Sequence, residues 1–194
     1  MIYVDHAATS GTKPEPVIQE ILTQLRIPGN SGRGSCGTSL QAARTIFRAR
    51  EKTAVFFQAD SPEQVAFTSG ITESLNLAIH SLLEPGMHAI TTWAEHNSVL
   101  RPLYQKERDG AGLTITDPTP EAILKAWRSN TRLVVMTHGS NVTGDVYDIR
   151  SVGKICRQNG AAFVVDTAQT AGLFPISMQE EAIDVLCFSG TKGC

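Results

Sequence analysis

The chain has 194 residues, 41% of them hydrophobic, and a net charge of −2 from 17 basic and 19 acidic residues, which suits one domain or slightly more with a sizeable core. No basic run stands out, which argues against nucleic acid as a partner, and no apolar run approaches membrane-spanning length. The opening Met1-Ile-Tyr-Val-Asp-His6 does not read as a signal peptide, and the four cysteines at 36, 156, 187 and 194 lack Cys-x-x-Cys spacing, so they read as reduced thiols in a cytoplasmic protein.

Residues 1–12 read as extended and then turn-like. Pro14 and Pro16 suit the first turn of a helix whose apolar face is Val17, Ile18, Ile21, Leu22 and Leu25. A glycine loop from Pro28 to Gly37 follows, and Leu40, Ala43, Ile46, Phe47 and Ala54 mark one face of a long helix. The loop holds Gly32-Arg-Gly-Ser-Cys-Gly37, formally a dinucleotide fingerprint, but a helical pattern precedes it where a strand is required, so it reads as a flexible loop. A short strand over Gln64–Phe67 is expected to run into Thr68-Ser-Gly70, opening a helix with Leu75, Ala78, Ile79, Leu82 and Leu83 on one face. Such a turn offers free N–H groups and a positive dipole end to a phosphate, with the Thr72 hydroxyl in reach.

His88–Trp93 reads as a strand with His96 just past its end, placed to cap a helix, stack on a planar ring or move a proton. Leu113–Thr116 is a short strand; Thr119 and Pro120 suit the N-cap and first position of a helix. Arg132–Asn141 is a buried strand with polar residues at its end, and its Asn141-Val-Thr143 sequon is discounted without a secretory signal. Asp148 caps a helix that stops at Asn159-Gly160. Phe163–Gln169 and Val185–Phe188 are the last apolar strands, the second followed by Ser189, Thr191 and Lys192.

Alternating strands and helices, with continuous apolar strands from 132 onward, predict an α/β three-layer fold with a mostly parallel sheet buried on both faces. Ligands in such sheets bind beyond the carboxyl ends of the strands. The polar tips converge there: Thr68-Ser-Gly70, His96, Asn141, Asp166 with Gln169, and Ser189 with Lys192. A lysine at one tip and a carboxylate at the next are what a pyridoxal 5′-phosphate (PLP) site needs, the amine for the aldehyde and the carboxylate for the ring nitrogen.

These residues resemble the class V aminotransferase group of fold-type I PLP enzymes, and within it the cysteine desulfurases and selenocysteine lyases. The resemblance runs along the chain through Val4-Asp-His-Ala-Ala-Thr9, Phe67-Thr-Ser-Gly-Ile-Thr-Glu73, Glu95-His-Asn-Ser-Val-Leu-Arg-Pro102, His138-Gly-Ser-Asn-Val-Thr-Gly144, Val165-Asp-Thr-Ala-Gln169 and Phe188-Ser-Gly-Thr-Lys192. It implies that Lys192 holds the cofactor covalently, Asp166 pairs with its ring nitrogen and His96 stacks on its face. Gln169 and Asn141 would contact the O3′ side or the substrate. Gly70, Ile71, Thr72 and Ser189 would hold the phosphate, joined by one hydrogen bond from Thr191. It further implies an L-cysteine substrate, sulfur transfer to an acceptor protein and a homodimer.

Two residues depart from the family's pattern: His6 stands where Asn is usual, and Thr191 where His is usual. The expected organisation is an N-terminal arm and helix over 1–30 and an incomplete PLP-binding large domain over 31–194, with a C-terminal small domain absent. That domain would carry the substrate-binding arginine and the sulfur-accepting cysteine. The alternatives left open are a selenocysteine lyase, an aminotransferase, or a catalytically inactive truncated homologue.

Overall fold

The chain divides into two units, the first ending at Phe67 and the second beginning at Thr68. The computed structural model describes residues 2–192. In the first unit, helix α1 spans Glu15–Leu25 and helix α2 spans Gly37–Phe57. Pro14 caps α1 with extended backbone and Pro16 lies in its first turn, where a missing N–H costs nothing. The α2 helix ends in a left-handed Gln58 at φ 53°. The expected apolar face forms on α1, yet Val17, Ile18, Ile21, Leu22 and Leu25 remain 38–78% exposed. Along α2 only Ser39, Ala54 and Phe57 are buried.

The strand expected over Gln64–Phe67 is not formed. A 3₁₀ turn takes Pro62–Gln64, because Pro62 has its φ pre-set for the first position of a turn. Val65 is extended, but the segment pairs with no strand among the described residues, and extended backbone without a ladder partner is not a strand.

The second unit is the parallel α/β layer structure anticipated from the alternation. Its strands are β1 (His88–Thr92), β2 (Gly112–Thr116), β3 (Thr131–Thr137), β4 (Ala162–Asp166) and β5 (Val185–Cys187). They form one all-parallel five-stranded sheet in the order β2-β1-β3-β4-β5. Helices α3 (Ile71–Leu82), α4 (Asn97–Arg108), α5 (Pro120–Lys125) and α6 (Ile149–Asn159) connect or flank them. Strands β1 and β3 are buried almost throughout: β3 carries the apolar run Leu133–Met136 expected of a strand covered on both faces, whereas β1 buries His88, Thr91 and Thr92 with their polar groups hydrogen-bonded. Leu75, Ile79, Val99, Leu103, Leu133, Val135 and Val164 form one fully buried cluster.

The helix termini follow their capping residues. The Thr119 hydroxyl accepts from the Ala122 amide at 3.3 Å, and Asp148 Oδ1 from the Ser151 amide at 2.9 Å. Gly160 closes α6 in the left-handed region at φ 70°. His88, buried in β1, is a core histidine: Nδ1 meets the Thr131 hydroxyl at 2.8 Å and Nε2 the Thr114 hydroxyl at 2.9 Å, tying three strands together. Among the described residues no helix is long and apolar enough to cross a membrane.

Candidate active site

Because every strand of the sheet is parallel, all the carboxyl ends lie on one edge. Asp166 ends β4, in register with Thr137 of β3 and Cys187 of β5. It is 4% exposed, and its Oδ1 accepts from the Ala168 amide at 2.9 Å. Burial pushes its carboxyl up; the Ala168 amide, His96 and Lys192 pull it down. Asp166 is therefore a buried acid beside two cation-forming side chains, able to pair with a cationic nitrogen brought to this edge. Lys192 is half-buried in the turn after β5.

His96 is the N-cap of α4. Its Nδ1 accepts from the Ser98 amide at 3.1 Å and is in close contact with the Ser98 hydroxyl. With Nδ1 an acceptor, the neutral ring carries its proton on Nε2, a tautomer assigned from the bonding pattern. Thr72, in the first turn of α3, donates to the same Ser98 hydroxyl at 3.5 Å. Thr72, Ser98 and His96 thus form one chain joining the starts of α3 and α4.

Gly70 caps α3 with extended backbone, and a Cβ there would meet nothing within 4 Å. The amides of Ile71 and Thr72 lie in the first helical turn, where no intrahelical acceptor exists. Glu73 already uses part of this terminus: its Oε2 accepts from the Ser69 amide and hydroxyl, each at 2.7 Å, which holds its carboxyl below the usual range. Ser189 and Thr191 share a hydrogen bond of 2.8 Å just past β5.

Asn141 lies exposed beyond β3, on a cleft of about 330 Å³ whose lining also includes His96 and Glu95. Gln169 is half-buried in the turn after Asp166, with its Cβ 3.8 Å from where a Cβ on Gly139 would stand. The sheet edge thus brings His96, Asn141, Asp166, Gln169, Ser189, Thr191 and Lys192 to one side.

Sequence reasoning passed over Glu95 as a site residue. It lies beside His96 in the motif already quoted, with no sequence signal for its burial. It is 8% exposed and accepts through Oε1 from the Thr92 hydroxyl at 2.7 Å and the Thr137 amide at 3.0 Å. The thiols divide sharply. Cys156 and Cys187 are buried, and burial pushes both up to about 12. Exposed Cys36, at the start of α2, is brought down to about 7 by hydrogen bonds with Ser39 and Thr38. Cys194, the fourth cysteine, lies outside the described residues.

Known proteins match this chain along nearly its whole length. The cysteine desulfurase IscS of Vesicomyosocius okutanii subsp. Calyptogena okutanii is 37% identical, matching 98% of this chain and 50% of its own. The apo structure of a cysteine desulfurase from Thermococcus onnurineus NA1 superposes with a TM-score of 0.87 at 31% identity, over 99% of this chain and 50% of that one. A structure described as SspA in complex with cysteine gives a TM-score of 0.89 at 28% identity, over 97% of this chain and 57% of that one. The chain therefore spans about half the length of the curated relatives it matches. The family model "Aminotransferase class-V" matches residues 2–194, and the chain belongs to that family.

Proposed function

We propose that this chain is the cofactor-binding portion of a PLP-dependent cysteine desulfurase, acting on L-cysteine to give L-alanine with transfer of sulfur to an acceptor. The observation that carries the reading is that one edge of the parallel sheet holds the buried carboxyl of Asp166 at the end of β4, with His96 following β1 and Lys192 following β5. The names of the relatives favour a desulfurase over a lyase or aminotransferase, and the cysteine complex of one neighbour supports the substrate class.

The residues fit the cofactor. The nearly buried carboxyl of Asp166, with one amide donor, suits a cationic ring nitrogen. The first-turn amides of α3 and the hydroxyls of Ser189 and Thr191 suit a phosphate. Lys192 would hold the aldehyde, His96 would stack on the ring, and Asn141 and Gln169 would contact its O3′ side. Gly70, Ile71 and Thr72 would hold the phosphate with Ser189 and Thr191. When bound, PLP supplies an electron sink for charge developing at the substrate α-carbon.

Burial raises the Asp166 carboxyl, and a cationic ring nitrogen set against it would supply the opposite charge that favours its ionised form. Lys192, half-buried at the same edge, would serve as the base for the substrate α-proton. His96 is fixed in orientation by its cap hydrogen bond, so its ring plane is set before any ligand arrives.

Incubating the purified chain with PLP, reducing with borohydride and mapping the adduct by mass spectrometry tests the reading. A single pyridoxyl group on Lys192, absent from Lys192→Ala, is expected. Scattered labelling of a folded chain overturns it.

A further inference from the structure

Glu95 is a buried acid that the chemistry above does not use. Its neighbours in the turn, Trp93, His96 and Asn97, are exposed, whereas its own side chain is turned inward. Its place is where the ladder between β1 and β3 gives out. The backbone register runs from His88↔Thr131 to Ile90↔Val134 and stops. Beyond it side chains take over: the Thr91 hydroxyl donates to the Val135 carbonyl at 2.9 Å, and Glu95 Oε1 takes the Thr137 amide at 3.0 Å. Without Glu95 that buried amide at the tip of β3 would lose its acceptor. The other oxygen, Oε2, is buried with no hydrogen-bond partner.

An ionised carboxylate with one oxygen unpartnered would leave a charge uncompensated in the interior, whereas a protonated acid leaves only one unsatisfied O–H, which costs far less. The groups facing Glu95 agree. β1 presents the Thr92 hydroxyl and β3 the Thr137 amide, while the charged group acting on it from β4 is Asp166, of the same sign. Burial first, and Asp166 after the two opposing hydrogen bonds, push the Glu95 carboxyl up to about 8.

We infer that Glu95 is a positioning residue carried as the neutral acid, which ties the turn bearing His96 to the tip of β3 without setting a second negative charge beside Asp166. The inference rests on the proposed function only for the task assigned to Asp166 and His96.

The test uses the 194-residue chain without cofactor, so it is independent of whether PLP binds. An acid protonated in the folded state and ionised in the unfolded state contributes stability that is full below about pH 4.3 and is lost as pH rises to its folded value. Glu95→Gln cannot titrate. Its folding equilibrium constant relative to the parent should therefore rise about tenfold per pH unit between pH 5 and 7.5, then level off. Because Asp166 acts on Glu95, the same ratio is also taken in an Asp166→Asn background, where only Glu95 titrates at this edge and the rise should persist. A ratio flat over that range overturns the inference. If Glu95→Gln does not fold, infrared spectra of the parent labelled with ¹³C-glutamate decide: a protonated carboxyl band at pH 6.5 that fades above pH 8 is expected, and its absence overturns the inference.

Positioning is read from the His96 imidazole proton resonances. They should be retained in Glu95→Gln and displaced in Glu95→Asp, which is too short to reach the Thr137 amide. Unmoved resonances in Glu95→Asp overturn the positioning role. PLP labelling of the parent judges the proposed function separately: a parent with the expected pH dependence but no adduct on Lys192 sinks the desulfurase reading and leaves the protonation of Glu95 standing.

Discussion

Helices α1 and α3 are nearly equal in length, 11 and 12 residues, and both space apolar side chains to make one face. On α3 that face is in the core: Leu75 and Ile79 are wholly buried in the cluster with Val99, Leu103, Leu133 and Val164. On α1 no residue is buried. The same pattern has therefore led to two different ends, because periodicity selects a helix and a face but does not supply the surface that covers it. The second unit has its own cover in a five-stranded sheet; the first has two helices whose apolar sides are largely open.

The sharpest way to break that contrast is to empty one position in the closed core. Leu75→Ala removes a side chain with 0% exposure and should cost about 2–5 kcal/mol, read as a lowered urea midpoint at unchanged slope. A loss below about 1 kcal/mol would mean that the core of the second unit is no better packed than the first.

A smaller effect probes how tightly the layers fit. Gly153 in α6 lies against the loop before β5: a Cβ there would stand 1.9 Å from the Glu181 carbonyl oxygen, a backbone atom that cannot swing aside. Gly153→Ala should therefore destabilise by about 1–3 kcal/mol through overpacking, although alanine is the better helix former. Gly37, which opens α2, has nothing within 4 Å of such a Cβ, and Gly37→Ala should be neutral or slightly stabilising. Equal responses of the two alanine variants in thermal melts would erase the difference between the regions.

What could be read from the sequence follows the same line. Strands β3 and β4 were legible because they are apolar runs bounded by turns, and the caps at Thr119, Asp148 and Gly160 because each uses a side chain or backbone freedom that few residues offer. The parallel order then delivered Asp166, His96 and Lys192 to one edge with no further assumption. The strand over Gln64–Phe67 failed because a strand exists only with a partner, and the pattern of one segment does not contain its neighbour. His96 was read with three possible tasks; the structure establishes the cap, which is compatible with a ring-facing role because Nδ1 alone is used. Glu95 was passed over because burial of an acid is a tertiary fact: nothing in Ala94-Glu-His96 says which way the carboxyl turns.

The smallest effect is the one that tests the open side of the comparison. Ile21 lies mid-face on α1 and is 54% exposed. Ile21→Ala gives up about half the transfer free energy of a side chain that would contribute about 1.5–3 kcal/mol if fully buried. It also regains a few tenths of a kcal/mol in helix propensity and the rotamer entropy lost by a β-branched residue. These terms oppose each other, so the net change should lie within about 0.5 kcal/mol. Beside the Leu75→Ala result the ratio should be at least fourfold. If Ile21→Ala instead costs about 2 kcal/mol or more, and the loss depends on protein concentration, the face of α1 is covered in solution by a second copy, and the two helices differ in partner and not in burial. A large loss independent of concentration would place the cover within the chain. The equilibrium unfolding of one variant at two protein concentrations separates these outcomes, since only association makes stability depend on concentration.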